Sequence, residues 1–172
     1  MTYKIAIIGG TGRQGRGLAY RWAQVGHEIL IGSRKVESAL AAVEELRERL
    51  NGEGKLSGMT NAEAVEAGDI AVLTVPFEHM RSTLEELKDL LQGKLLINVC
   101  VPLVPPKVTR VQMPPEGSGA LMAQAILGDN ARVVDAFQNV SFEHLLSGEA
   151  IDTDVLVAGY DKAARELVIK LS

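Results

Sequence analysis

The sequence predicts an α/β fold, a doubly wound and mostly parallel sheet. Three observations carry this expectation. Short β-rich apolar runs alternate with longer stretches of helical spacing nearly from end to end. Two of the runs, Asp69 to Val75 (DIAVLTV) and Lys94 to Val101 (KLLINVCV), are apolar almost without interruption, the pattern of strands covered on both faces. A glycine-rich turn stands between the first run and the first helical stretch.

In chain order, Tyr3 to Gly9 (YKIAIIG) reads as a buried strand and Gln14 to Val25 as a helix. His27 to Gly32 (HEILIG) is a second strand, followed by a helix over Val36 to Leu50 with Val36, Leu40, Val43, Leu46 and Leu50 on one face. After the Asp69 to Val75 strand, His79 to Leu91 is amphipathic, with Met80, Leu84, Leu87 and Leu91 in register, and the Lys94 to Val101 strand follows. Ser118 to Leu127 reads as a helix, Ala131 to Phe137 as a strand, and the Phe-Glu-His-Leu piece around His144 as helix-like. Thr153 to Ala158 reads as a strand and Asp161 to Leu171 as a final helix, which ends without a glycine cap or a following strand. No repeat, low-complexity stretch or linker interrupts the series, so a single domain over 1–172 is expected.

Composition narrows the function. The chain has 172 residues, 47% hydrophobic and 23% charged, the make-up of one soluble globular domain. Its apolar runs fall far short of the roughly eighteen residues that cross a bilayer, and Met1 to Lys4 shows no signal-peptide layout, so a cytoplasmic setting is expected. The single Cys100 excludes an internal disulfide and a multi-cysteine zinc site; the expected role is a small buried hydrophobe. His27, His79 and His144 show no metal-ligand spacing, so no metal site is expected. With 18 basic against 22 acidic residues, no general attraction to nucleic acid or an anionic membrane is expected. Any anion must therefore be held by a local site.

Punctuation locates that site. All six prolines (Pro76, Pro102, Pro105, Pro106, Pro114 and Pro115) fall after the third and fourth strong strands, in loops leaving the carboxyl end of the sheet, where open α/β sheets bind ligands. The irregular segment from Val101 to Gly117 is also longer than the usual connection of about four to six residues, which fits either a functional loop or a rigid connector.

The turn Gly9-Gly10-Thr11-Gly12-Arg13-Gln14-Gly15 contains G-x-G-x-x-G as Gly10, Gly12 and Gly15, in the strand-turn-helix context that a Rossmann-type dinucleotide site requires. Gly10 permits the tight turn, Gly12 lets the backbone approach a pyrophosphate, and Gly15 lets the helix pack closely on the strand. The helix N-terminus offers N–H groups and a partial positive charge to the phosphates. A P-loop shares the Gly10 to Gly15 spacing but fails at Arg16-Gly17, which stand where Lys and Ser/Thr are needed.

At the end of the second strand, where an NAD-binding domain carries Asp or Glu, this chain has Gly32-Ser33-Arg34-Lys35. A carboxylate there would repel a 2′-phosphate, whereas Ser33, Arg34 and Lys35 can hydrogen-bond it with charge assistance. At about 1.5–3 kcal/mol per hydrogen bond to a charged group, NAD should bind one to several orders of magnitude more weakly than NADP. Ser33 can also be read as the N-cap of the following helix. After the third strong strand, Val75 and Pro76 of Thr74-Val75-Pro76-Phe77-Glu78-His79 are expected beside the nicotinamide ribose, and His79 is a further candidate contact.

With these patches assembled, the chain resembles the F-420:NADP oxidoreductases, the NADPH-dependent reductases of the deazaflavin coenzyme F-420. The resemblance rests on IAIIGGTGRQGRGLA, HEILIGSRK, DIAVLTVPFEHM and INVCVPLVP, followed by a small-residue helix, and covers essentially the whole length. It implies direct hydride transfer between nicotinamide C4 and deazaflavin C5. By matching position, Thr11, Arg13, Gln14, Ser33, Arg34 and Lys35 would hold NADP(H), while Pro76, Val101 and Pro102 would line the nicotinamide end. Gln138, Asn139 and Val140 would border the deazaflavin pocket; members of the family carry histidine where this chain has Gln138, which cannot supply a proton at neutral pH. A homodimer is implied, as is a further C-terminal strand and helical segment beyond Ser172. No general acid or base is implied, since both coenzymes carry their own chemistry.

Two other readings accompany this one. Similar N-terminal domains occur in imine and metal reductases acting on other acceptors. The Gly-Gly-Thr-Gly-Arg-Gln-Gly loop also resembles that of non-catalytic sensors of NADP redox state, although Tyr160 and Lys162 lack the Tyr-x-x-x-Lys spacing of short-chain dehydrogenases.

Overall fold

The computed structural model describes residues 1–103, 106 and 110–172. Along the chain run β1 (Lys4–Ile8), α1 (Arg13–Gln24), β2 (Glu28–Ser33), α2 (Val36–Arg49), β3 (Lys55–Thr60), α3 (Asn61–Ala67), β4 (Ile70–Leu73) and α4 (Phe77–Glu86). They are followed by β5 (Leu95–Asn98), α5 (Gly119–Leu127), β6 (Arg132–Asp135), α6 (Phe142–Ser147), β7 (Ala158–Gly159) and α7 (Lys162–Leu171). The strands form one sheet in the order β3-β2-β1-β4-β5-β6-β7. All neighbours pair in parallel except β7, which runs antiparallel to β6. This is the doubly wound, mostly parallel sheet that the sequence predicts.

The uninterrupted apolar runs follow from the sheet having helices on both faces. Side chains alternate across a strand, and in β1 Ile5 and Ile7 join the cluster formed with α1, α2 and α7. Ala6 packs with Leu30 and Ala64 on the opposite face, and Ile8 there joins the cluster built with α4 and α5. Trp22 of α1 fastens the last helix: its indole Nε1–H donates to the Leu171 carbonyl at 2.9 Å, and its ring meets Phe137 edge-on at 5.6 Å.

Four local expectations are corrected. In α2 the buried face is Ala39, Ala42, Val43 and Leu46, while Leu40 is 49% exposed. The cause is Gly58 of β3, where a Cβ would lie 2.8 Å from the backbone of Ala39 and Leu40. The helix backbone rests on the strand there, which places Ala39 in the contact and Leu40 outside it. The helix expected over His79 to Leu91 spans Phe77–Glu86, and Leu87 and Leu91 are buried from the turns that follow.

The third correction is a strand and helix the apolar pattern does not reveal. β3 is an edge strand in which only Leu56 is buried, so it lacks an apolar run. The fourth concerns Thr153 to Ala158, of which only Ala158 pairs, continuing into Gly159. The alternation there is real, since Val155 and Val157 pack against the core and Leu156 is 74% exposed, yet the earlier residues have no strand beside them. Pro105 lies outside the described residues. Among those described, no helix is long and apolar enough to cross a membrane.

The connections place the candidate site. From β1 the chain moves outward to β2 and β3, and from β4 it moves the other way to β5 and β6. The loops leaving β1 and β4 therefore part at the carboxyl edge, opening the crevice typical of a topological switch point. The corrected α2 packing has a direct test. Leu46→Ala should cost about 2–5 kcal/mol and Leu40→Ala no more than about 0.5 in urea unfolding; equal costs would contradict the assigned face.

Candidate functional site

The turn after β1 is held by backbone. Gly9 takes φ +71°, a region that favours glycine. The Gly10 N–H donates to Ile7 O at 3.1 Å and Gly32 O at 2.9 Å, joining the turn to the end of β2. A Cβ on Gly10 would lie 2.9 Å from Ile7 O, and one on Gly15 would lie 2.8 Å from both Gly10 Cα and Thr74 Oγ1. Both glycines are thus required by close packing. At Gly12 the nearest atom to an added Cβ is 3.5 Å away, so packing does not demand glycine there. Its bareness keeps the outer side of the turn open.

α1 starts immediately after Gly12, with no side-chain cap and no acidic residue in its first turn. Its first N–H groups therefore face outward, where they favour an anion. Thr11 is half-buried on this turn. Arg13 projects beside it with its guanidinium carbon 5.2 Å from the Phe142 ring centroid. Gln14 behaves otherwise: its Nε2 donates to Val140 O at 2.9 Å and Phe137 O at 3.5 Å. The side chain ties α1 to the loop after β6, leaving only the Gln14 backbone for the anion site.

At the end of β2, Ser33 is buried and its Oγ accepts the Lys35 N–H at 3.2 Å. The N-cap of α2 is Lys35 and has no side-chain cap, so Ser33 does not cap that helix. Arg34 and Lys35 are exposed and neither side chain has a partner among the described residues. Two unpaired cations thus stand beside the glycine turn in a chain of net charge −4.

Asn61, at the start of α3, completes the turn. Its Oδ1 accepts the Gly9 N–H at 3.1 Å. Thr60 fixes it through a capping box, in which Thr60 Oγ1 accepts the Glu63 N–H at 3.2 Å and Glu63 Oε2 accepts the Thr60 N–H at 2.9 Å. The spacing Thr60-Asn61-Ala62-Glu63 is the sequence signal that marks this helix start.

A cleft of about 550 Å³ continues from the turn, between the loops after β1, β4, β5 and β6. Of the candidate residues, Gly12, Arg13, Gln14, Val75, Pro76, Val101 and Gln138 line it. Phe77, Val99, Cys100, Leu103, Phe137 and Phe142 line it as well, and the sequence reading names none of them as wall residues. Phe137 is held at φ +71°, which no feature of its sequence announces.

Four expected residues lie elsewhere. His79 is not in the cleft wall; its ring sits half-exposed, 3.8 Å from Glu78 Oε1. Pro102 is also outside the lining, with its carbonyl accepting the Gln112 N–H at 2.7 Å. Asn139 turns away and donates from Nδ2 to Asp154 O at 2.6 Å. Val140 is buried behind Phe137 in the core.

Glu78 is the one carboxylate among the lining residues, at the rim beside His79. Burial pushes the Cys100 thiol up to about 12, and its S–H donates to Val75 O at 3.1 Å, so it stays protonated at neutral pH. Among the described residues no group of three His, Cys, Asp or Glu side chains could hold a metal ion. The arrangement suits ring stacking and exclusion of water, with an anion site at one end.

Comparison with known proteins agrees with this geometry. The family model described as "NADP oxidoreductase coenzyme F420-dependent" matches residues 4–102. The "F420-dependent NADP reductase" of Methanocaldococcus jannaschii is 42% identical over 98% of this chain and 78% of that protein. Its namesake from Methanothermobacter marburgensis is 39% identical over 98% and 78%. A crystal structure from Arthrobacter sp. FB24, described as an F420-dependent NADP-reductase, superposes with a TM-score of 0.81 at 26% identity, covering 98% of this chain and 79% of the other. A pyrroline-5-carboxylate reductase from Coxiella burnetii, at 20% identity and a TM-score of 0.67 over 99% of this chain and 56% of that one, shares the fold. The chain belongs to the family of coenzyme F420-dependent NADP oxidoreductases.

Proposed function

We propose that this chain binds NADP(H) across the switch point and carries hydride between its nicotinamide and coenzyme F-420, a small-molecule redox partner. The observation that carries the reading is the junction of two features. An uncapped glycine turn stands beside unpaired Arg34 and Lys35 with no carboxylate in Gly32 to Lys35, and this anion site opens directly into the apolar cleft.

The residues present fit a 2′-phosphorylated dinucleotide. The backbone of Gly10, Thr11, Gly12, Gln14 and Gly15, with the Arg13 side chain, would hold the pyrophosphate; Ser33, Arg34 and Lys35 would hold the 2′-phosphate. Val75, Pro76 and Val101 would lie at the nicotinamide end, with Gln138 on the side of the deazaflavin. When bound, the two coenzymes supply the redox chemistry themselves. The protein's share is orientation: Val75 and Val101 offer apolar walls, Gln138 a carboxamide edge, and the phenylalanines keep water out. No side chain acts as a general acid or base in this reading. It takes the chain as a single NADP-binding domain that works as a homodimer in the cytoplasm.

Mixing the protein with NADPH and F-420 should bleach the deazaflavin absorbance; calorimetric NADPH binding without bleaching would reject F-420 as the acceptor. Cofactor choice is tested by Arg34→Ala. Loss of one charge-assisted hydrogen bond should weaken NADPH binding by about tenfold to a hundredfold while leaving NADH nearly unchanged. Equal losses for both would remove Arg34 from 2′-phosphate recognition.

A further inference from the structure

Asn98 ends β5 and is fully buried, after three residues, Leu95, Leu96 and Ile97, that are all apolar and buried. A buried carboxamide costs free energy unless its hydrogen bonds are made. Here they are. Nδ2 donates to Asp135 Oδ1 at 2.6 Å and, more weakly, to Cys100 O at 3.5 Å, and Oδ1 accepts the Cys100 N–H at 3.2 Å. The Asn98 carbonyl accepts the Ala136 N–H at 3.2 Å and Gln138 Nε2–H at 2.9 Å. Cys100, held by these bonds, donates its S–H to Val75 O at 3.1 Å. One residue thereby ties the loops after β4, β5 and β6, each of which supplies cleft wall, while itself lying behind that wall.

The tie closes around a strained residue. Phe137 at φ +71° occupies a region that is unfavourable for a non-glycine residue and persists only where neighbours over-determine it. The Ala136 and Gln138 bonds to the Asn98 carbonyl bracket Phe137 on either side, and Gln14 Nε2 donates to its carbonyl. The carbonyl bonds do not depend on the side chain; what the carboxamide adds is its bonds to Asp135, two residues before Phe137, and to Cys100, which an apolar residue at 98 would leave unmade.

We propose that Asn98 is a positioning residue for hydride transfer, setting Val75, Cys100, Phe137 and Gln138 in the arrangement that holds the nicotinamide against its acceptor. This rests on the function proposed above. Asp135 is its supporting partner, and neither residue lines the cleft.

The test compares Asn98→Leu, Asp135→Leu and Asp135→Asn by NADPH affinity, the fluorescence of bound NADPH, and single-turnover reduction of F-420. The proposed phosphate contacts lie in the turn after β1 and at the end of β2, so Asn98→Leu should keep NADPH affinity within about threefold; displaced cleft loops should alter nicotinamide emission and slow transfer by about tenfold or more. Asp135→Leu should shift emission in the same sense. Asp135→Asn, which keeps an oxygen facing Asn98, should restore most of that loss. Unchanged emission in folded Asn98→Leu would overturn the proposal, as would affinity, emission and rate falling together with the folded fraction. Should Asn98→Leu fail to fold, unchanged emission in Asp135→Leu would overturn it equally. Emission is read without F-420, so a wild-type protein inactive on F-420 would reject the proposed function separately from the role of Asn98.

Discussion

The site depends on one close approach, that of α1 to the turn after β1. A Cβ at Gly15 would collide with Gly10 Cα and Thr74 Oγ1 at 2.8 Å, and one at Gly10 would strike Ile7 O at 2.9 Å. Because both positions are bare, the first turn of α1 lies directly over the end of β1, with its N–H groups facing outward. The same Gly10 N–H reaches Gly32 O, so the approach also fixes how far the cations after β2 stand from the helix terminus. Thr74 belongs to the β4 exit, which brings the mouth of the cleft into the same contact. The glycine turn, the cations after β2 and the cleft are therefore set by one packing event.

Electrostatics divides the crevice into two ends. A chain of net charge −4 does not attract a polyanion generally, so selectivity must come from local placement. Arg34 and Lys35 have no partner among the described residues, and Gly32 to Lys35 carries no carboxylate of the kind with which an NAD-type site repels a 2′-phosphate. The cleft beyond is largely apolar and its thiol is held protonated. Hydride exchange between two coenzymes needs stacked rings in a dry space more than it needs proton donors, and the two ends together match that requirement.

Much of this was legible because it depends on local pattern. Gly10, Gly12 and Gly15 announce the turn by spacing, and Ser33-Arg34-Lys35 shows by charge type that cations follow β2. Buried central strands announce themselves by uninterrupted apolar runs. What the sequence concealed depends on tertiary direction. Gln14 stands in the phosphate turn by number, yet the carbonyls of Phe137 and Val140, more than 120 positions away, capture its amide. His79 sits on the helix after the β4 loop but is turned away from the cleft by α4. β3 is half-exposed at the sheet edge and so carries no apolar run. Leu40 has the spacing of a core residue and is displaced by the glycine beneath α2. Asn98 is a polar interruption in KLLINVCV, but Asp135, Ala136 and Gln138, its distant partners, come from the end of β6 and the loop after it.

In the proposed function the cleft brings the two rings together so that hydride passes directly between them. Deuterium at C4 of NADPH tests it most directly. With NADPH stereospecifically labelled on the transferred face and excess F-420, the label should appear at C5 of the reduced deazaflavin, with none released to water. Deuterium recovered in solvent, or unlabelled reduced deazaflavin formed at the same rate, would contradict direct transfer and with it the assigned purpose of the cleft.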